Sequence, residues 1–248
     1  MDHAYSEPFD VCVVGSGPAG IIFALEHARL NPDKRIALVE FGKKDQGVKN
    51  SLDDSIQIPE PLNHHDPYEC TNKGLGGSSA TWGGRCVMYD QIDFVDRPVI
   101  ANGCTWRPDL LQDINKYTSI AASYFECGSP EFDLKHIPEF KDSHISENFV
   151  AGNVTDSVVE RWSMPTRFGP RYEQVLRANK NITVFEGAEA RDFGNTDTTG
   201  IVNSLEVRFG DNSKKVIHAK SFVLAAGTQE TTRILLRNPQ LFKNIGGR

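Results

Sequence analysis

Residues 9–40 read FDVCVVGSGPAGIIFALEHARLNPDKRIALVE, and their order is strand, glycine turn, helix, strand. Phe9 to Val14 is a short apolar run rich in β-branched residues, the pattern of a strand buried in a parallel sheet. It runs into Gly15-Ser16-Gly17-Pro18-Ala19-Gly20, which has the spacing G-x-G-x-x-G. In that fingerprint Gly15 permits the tight turn, Gly17 lets the backbone approach a pyrophosphate, and Gly20 lets the helix pack on the strand. Pro18 suits a first helical turn. The N–H groups of Ser16 through Gly20 and the positive end of the helix dipole then face the place of a diphosphate. Asn31-Pro32-Asp33 stops the helix before a second strand, Arg35 to Val39, which ends in Glu40. A carboxylate there can accept both hydroxyls of an adenosine ribose and would repel a 2′-phosphate. Strand, helix and acid meet three independent conditions for a dinucleotide site. A glycine-rich βα turn in some other parallel sheet leaves Glu40 unexplained.

The chain has 248 residues, 39% of them hydrophobic, enough for a buried core in one large domain or two small ones. Its apolar runs fall far short of the roughly 20 residues that span a bilayer, and no basic segment followed by an apolar one opens it. A cytoplasmic protein without a membrane span is therefore expected. The net charge of −6, with no lysine or arginine cluster, argues against nucleic acid and anionic membranes as partners. Five cysteines, Cys12, Cys70, Cys86, Cys104 and Cys127, include no C-x-x-C pair, so neither a redox dithiol nor a zinc site is suggested. His64, His65 and Asp66 could pass for metal ligands, but among Pro59, Pro61 and Pro67 they read as solvated loop residues. No metal is expected.

After Glu40 the stretch 42–73 has no period and reads as a long loop, of the kind that is functional or disordered. It leads into GLGGSSATWGGR, residues 74–85, where five glycines in eleven residues mark close backbone approach and Ser78 and Ser79 add hydroxyl donors. Trp82 in its middle indicates a packed segment. A short strand and turn over 86–94 and one helix over 109–125 follow, and 131–148 reads as a charged surface excursion. A helix over 171–178 and a strand over 182–185 come next. The runs 205–209 and 215–218, joined by Gly210-Asp211-Asn212, predict an antiparallel hairpin. A separate strand, 221–225, then meets Ala226-Gly227-Thr228 and a helix through Ile234, Leu235 and Leu236. Such strand-glycine-helix junctions gather at the carboxyl ends of the strands in a doubly wound sheet, which would put this one beside the first.

In this order VVGSGPAG with Glu40, GLGGSSATWGG with CVMYDQIDF, TWRPDLL, PTRFGPRYEQVLRANKNITVFEGAEARDF and FVLAAGTQETTRILLRNPQLFKNIGGR resemble the N-terminal half of the glucose-methanol-choline (GMC) flavin oxidoreductases. The likeness is greatest to the branch with pyranose oxidase and sugar or cyclitol dehydrogenases. The resemblance implies an α/β, Rossmann-like FAD-binding domain with a parallel sheet, an added antiparallel hairpin and a helical insertion. Residues 1–100 and 161–248 would be its two segments and 101–160 the insertion. It implies FAD, with Gly15, Ser16, Gly17, Pro18, Ala19 and Gly20 at the pyrophosphate and Glu40 at the ribose. The backbone of Ala190 would meet the adenine. Gly76, Gly77, Ser78, Ser79, Trp82 and Gly83 match the loop along the pyrophosphate that reaches the isoalloxazine, and Ala226, Gly227 and Thr228 the junction closing over the cofactor.

Thr81 stands where several members carry a histidine bonded to the flavin, so noncovalent FAD is expected. The resemblance implies oxidation of a CH–OH group of a sugar, cyclitol or other alcohol by hydride transfer to flavin N5, and leaves the alcohol and the electron acceptor open. The family's C-terminal half, with its catalytic histidine, has no counterpart here, and none of the seven histidines matches it. No catalytic residue is therefore assigned, and the chain is expected to be part of such an enzyme. The alternative is a non-catalytic flavin-binding or scaffold protein. A flavin disulfide reductase would need the missing C-x-x-C and a second nucleotide fingerprint.

Overall fold

The computed structural model describes residues 7–43, 60–63, 71–96, 106–107, 109–139, 158–194, 201–243 and 245. They fall into two units, one formed by Met1–Thr81 with Arg167–Gly247 and the other by Trp82–Thr166. His64, His65, Asp66, Cys70 and Cys104 lie outside the described residues.

The first unit is built on a six-stranded sheet of order β5-β2-β1-β8-β7-β6. β1 (Phe9–Val14) lies at its centre, parallel to β2 (Ile36–Glu40) on one side and to β8 (Lys214–Leu224) on the other. β5 (Ile182–Glu186) adds to β2, also in parallel. Every residue of β2 is buried and five of six in β1, which is why these strands read as continuous apolar runs and not as alternation. Helix α1 (Pro18–Leu30) buries Gly20, Ile21, Ala24, Leu25 and Ala28, one stripe at helical spacing.

β8 departs from the sequence reading. The hairpin arm at 215–218 and the strand at 221–225 are a single strand of 11 residues, because nothing in Ala219-Lys220 can break an extended chain. Its first half pairs antiparallel with β7 (Ser204–Phe209), with Ser204 opposite His218. Its second half pairs parallel with β1, from Ala219 opposite Phe9 to Leu224 opposite Val14. One strand therefore joins the hairpin to the parallel core. β6 (Ala188–Gly194), which the periodicity alone did not mark and the resemblance implied only at Ala190, extends the hairpin antiparallel to β7 and slips register between Ala190 and Phe193. The last helices also start earlier than their apolar residues suggest. They are Phe168–Ala178 and Gly227–Arg237.

The second unit holds the two-residue strands β3 (Arg85–Cys86) and β4 (Arg161–Trp162), paired antiparallel, with an Arg85–Glu160 ion pair beside them. Helices α2 (Leu110–Lys116) and α3 (Thr118–Phe125) replace the single helix expected over 109–125. The break falls at Tyr117, whose N–H turns back to Ile114 O at 2.9 Å. Asn115 and Thr118 flank it, and both are weak helix formers. Of the short strand and turn expected over 86–94, the strand is only Arg85–Cys86 and the turn is the 3-10 stretch Gln91–Phe94. We label the later helices α4 (Phe168–Ala178) and α5 (Gly227–Arg237), both in the first unit.

Two polar anchors fasten the first unit. Asn238, fully buried after α5, accepts from Phe193 N at 2.8 Å and donates to Arg191 O and Ile234 O at 3.1 and 2.8 Å. It thereby satisfies the β6 irregularity from the helix side. Asn238→Ala strands those groups and should cost about 1–3 kcal/mol, read as a lower midpoint in urea unfolding.

Asp10 joins three strands at the opposite end of β1. Lys220 donates to it at 2.7 Å and the Arg35 N–H at 3.0 Å, and Lys34 lies 3.5 Å away. The Lys220 bond, with the Arg35 N–H next, lowers its pKa to about 2 from the ordinary 3.8. A depressed carboxyl stabilises the fold above its unfolded pKa, and that contribution is lost as pH falls through the folded value. Asp10→Asn should therefore lower the thermal midpoint at pH 5, and the gap to the unsubstituted chain should close as pH falls from about 4 to 2.

Candidate cofactor site

A cleft of about 620 Å³ opens at the carboxyl ends of β1, β2 and β8, within the range of about 300–1,000 Å³ that small-molecule sites take. Gly15, Ser16, Gly17, Pro18 and Ala19 form its floor, and Glu40, Gly77, Ser78, Ala190, Ala226, Gly227 and Thr228 are on its walls. These predicted residues come together from five separate stretches of sequence. The cleft is also lined by Phe41, Asn72, Lys73, Glu189 and Arg233, which the sequence reading did not single out.

The floor is the start of α1. Its first i→i−4 bond runs from Ile21 N to Gly17 O at 3.0 Å, so the N–H groups of Ala19 and Gly20 precede the helical ladder. A Cβ on Gly17 would meet nothing within 4 Å, which leaves open space over the helix end. Gly20 is different. A Cβ there would lie 1.9 Å from Gly15 O, so its hydrogen is what allows the helix to sit on the turn. Ser16, expected to offer its N–H to a diphosphate, donates that N–H to Glu40 in this structure.

Glu40 is 6% exposed, and its carboxylate accepts four hydrogen bonds. Ser16 N and Ser16 Oγ reach Oε2 at 3.0 and 2.6 Å, and Gly42 N and Gly74 N both reach Oε1 at 2.8 Å. One buried charge thus holds the first glycine turn, the residue after β2 and the start of the second glycine segment. Gly76 N donates to Ser16 O at 2.8 Å and adds to the same junction.

Gly76 and Ser79 are not on the cleft wall but beneath it. Gly76 takes φ +95, and a Cβ on it would come within 2.3 Å of Gly169 N. Ser79 Oγ donates to Gly76 O at 2.7 Å and accepts from Phe168 N at 3.0 Å, so it seats the glycine turn on α4. Trp82 and Gly83 belong to the second unit. There Trp82 donates to Thr166 O at 3.0 Å and packs on Phe125, with ring centroids 5.6 Å apart, and Gly83 lies against Trp162.

The wall from β6 carries an ion cluster around one buried acid. Glu189, 6% exposed, meets Arg191 at 2.9 Å and Arg208 at 2.8 Å, with Arg237 at 3.6 Å and Arg233 at 3.8 Å. Burial works to raise its pKa, but Arg208 and Arg191 outweigh burial and hold it below the ordinary carboxylate value. Arg233 also pairs with Glu230 at 2.9 Å. The cluster locks β6, β7 and α5 into one wall beside Ala190. Cys12 in β1 is fully buried, and burial pushes its thiol up to about 12, which keeps it unreactive.

No protein-family model and no curated protein matches the chain. The fold is shared with solved structures. It is similar to pyridoxine 4-oxidase from Mesorbium loti, 17% identical with a TM-score of 0.52, over 93% of this chain and 52% of that one. It is similar to a formate oxidase, 18% identical with a TM-score of 0.55, over 94% and 48%. A fungal aryl-alcohol oxidase matches at 16% identity and a TM-score of 0.54, again over 94% and 48%. The chain spans about half the length of these solved structures.

The two glycines of the floor separate folding from binding. Gly17→Ala should leave the thermal midpoint within about 2 °C while abolishing measurable binding of a dinucleotide, since the added methyl occupies the space over the helix end. Gly20→Ala should lower the midpoint as well, because its methyl collides with Gly15 O. Calorimetric melts and a ligand titration on both variants check this.

Proposed function

We propose that this chain is the FAD-binding part of a GMC-type flavin oxidoreductase that oxidises a CH–OH group of a small alcohol, sugar or cyclitol. The observation that carries the reading is the cleft itself. A G-x-G-x-x-G turn, the amino end of α1, an acid at the end of β2, a second glycine segment and a strand-glycine-helix junction all border one space. Its shared fold with pyridoxine 4-oxidase, formate oxidase and aryl-alcohol oxidase supports the same reading. FAD modification is described for a formate oxidase from Aspergillus oryzae RIB40.

The residues present fit the group. The N–H groups of Ala19 and Gly20 and the positive end of α1 would hold the diphosphate in the space over Gly17. Glu40 would meet the ribose from the end of β2. A ribose hydroxyl there competes with the Ser16 hydroxyl for Oε2. The backbone of Ala190, on a wall stiffened by the Glu189 cluster, would meet the base. Bound FAD would supply the hydride acceptor, and the chain's own task is to hold and orient it. Thr81 offers no imidazole for a covalent bond, and its Oγ1 accepts from Asn72 Nδ2 at 2.5 Å. FAD would therefore be held noncovalently.

The test has two readouts. Titration with FAD should quench flavin fluorescence, and acid precipitation of the complex should leave the yellow colour in the supernatant. Colour retained by the pellet would exclude noncovalent binding, and no binding at all would exclude the cofactor reading. For the reaction, the FAD-loaded protein carrying this segment is mixed without oxygen with primary alcohols, sugars and cyclitols. Flavin bleaching by one of them is expected, and its absence throughout would sink the oxidoreductase assignment.

A further inference from the structure

In the second unit two cysteines that are far apart in sequence come together. Cys86 ends β3, and Cys127 lies just past the end of α3. Their thiols are hydrogen-bonding neighbours. The segments that carry them are clamped from three sides. The Trp82 ring, shortly before Cys86, packs on Phe125, shortly before Cys127, with centroids 5.6 Å apart. Arg161, the partner of Cys86 across β3 and β4, donates its Nε–H to Glu131 O at 2.7 Å and passes beside Gly128. Thr166 Oγ1 reaches Phe125 O at 3.2 Å and Glu126 Oε2 at 2.7 Å, while Ser163 N donates to Gly84 O at 2.7 Å. The turn that presents Cys127 is strained, since Glu126 takes φ 52 and Gly128 φ 82 on either side of it.

We propose that Cys86 and Cys127 are a modification site, at which hydrogen peroxide drives a reversible disulfide that joins β3 to the end of α3. The proposal is independent of the cofactor reading. C-x-x-C spacing cannot reveal such a pair, because its members lie on different elements. Cys86 is half-buried and Cys127 is 7% exposed, so peroxide reaches Cys86 first. The Cys86 thiolate attacks one peroxide oxygen, the O–O bond breaks, and Cys86 sulfenic acid and one water result. The Cys127 sulfur then attacks the sulfenic sulfur, its S–O bond breaks, and a second water leaves. In balance, two thiols give up two electrons and two protons, and one hydrogen peroxide takes them to become two waters. Burial, with Cys127 beside it, pushes the Cys86 thiol up to about 11. Little thiolate is present at neutral pH, so the pair answers sustained peroxide and not a brief pulse.

The experiment treats the reduced 248-residue chain with hydrogen peroxide, blocks the remaining thiols under denaturing conditions and maps its peptides without reduction. A peptide joining Cys86 to Cys127 is expected, lighter by two hydrogen atoms than its separate parts and released by dithiothreitol. Free thiols should fall from five to three, two having entered the bond. The oxidised chain should melt roughly 5 °C higher, as closure of a long loop predicts, and dithiothreitol should remove the gain. In Cys127→Ser the reaction should stop at a sulfenic acid on Cys86, which dimedone labels, and the gain in melting should vanish. Both cysteines still open to alkylation after peroxide, or either one bonded to Cys12, Cys70 or Cys104, overturns the pair. Cys86 driven to sulfinic acid with Cys127 left free overturns it too. Mapping of the unsubstituted chain decides the matter even where the variant does not fold.

Discussion

The cleft depends on one buried carboxylate. Among the described residues, four neutral donors from residues 16, 42 and 74 converge on Glu40. A carboxylate removed from water is tolerated when its lone pairs are filled, and here two donors fill each oxygen. The arrangement is directional. Each donor fixes the path of a loop that has no regular structure of its own, so the second glycine segment is placed by the charge at the end of β2. Loops held this way keep their path without help from a ligand, which pre-organises the cleft around the free N–H groups at the start of α1.

A second constraint comes from β8. Because one strand is antiparallel to β7 at its start and parallel to β1 at its end, the hairpin cannot tilt away from the Rossmann-like core. The wall that it carries is stiffened by polar contacts of two kinds. Asn238 satisfies backbone groups where the β6 register slips, and Glu189 gathers arginines from β6, β7 and α5. The cluster gives little net stability by itself, but leaving its buried acid without arginines is costly, so it resists rearrangement. The cleft therefore has one wall set by hydrogen bonds to a charge and another set by charges.

Much of this was legible in the residues. The β1-turn-α1-β2 unit follows from local signals: an apolar run of strand length, glycines at fixed spacing, Pro18 at the helix start and Asn31-Pro32 at its end. The join of the two strand-glycine-helix junctions was legible as well, since parallel strands place their carboxyl ends together. Other features were not. Tyr117 interrupts a stretch whose apolar spacing suits one helix, because periodicity reports which side is buried and not whether the backbone bonds continue. β8 reads as two pieces because its partner changes from β7 to β1 midway, and the burial pattern changes with the partner. β6 was hard to see because Ala, Glu, Asp and Gly are poor strand formers and its short alternation, Ala188 to Arg191, breaks where the register slips.

The sequence alone determined the chemistry of the floor, since G-x-G-x-x-G between a strand and a helix constrains the backbone locally, whatever packs around it. It also supplied Glu40 as the acid at the end of β2. What only the tertiary structure decided is how that acid is used and what surrounds it: the four donors on Glu40, the place of Gly76 and Ser79 beneath the cleft, and the meeting of Phe41, Lys73 and Asn72 at its lip. Apart from Gly42, those contacts join residues 24 to 89 or more positions apart across loops without a period. A sequence pattern carries information over a turn of helix or a pair of strand residues, and such contacts exist only once the sheet has brought the loops together.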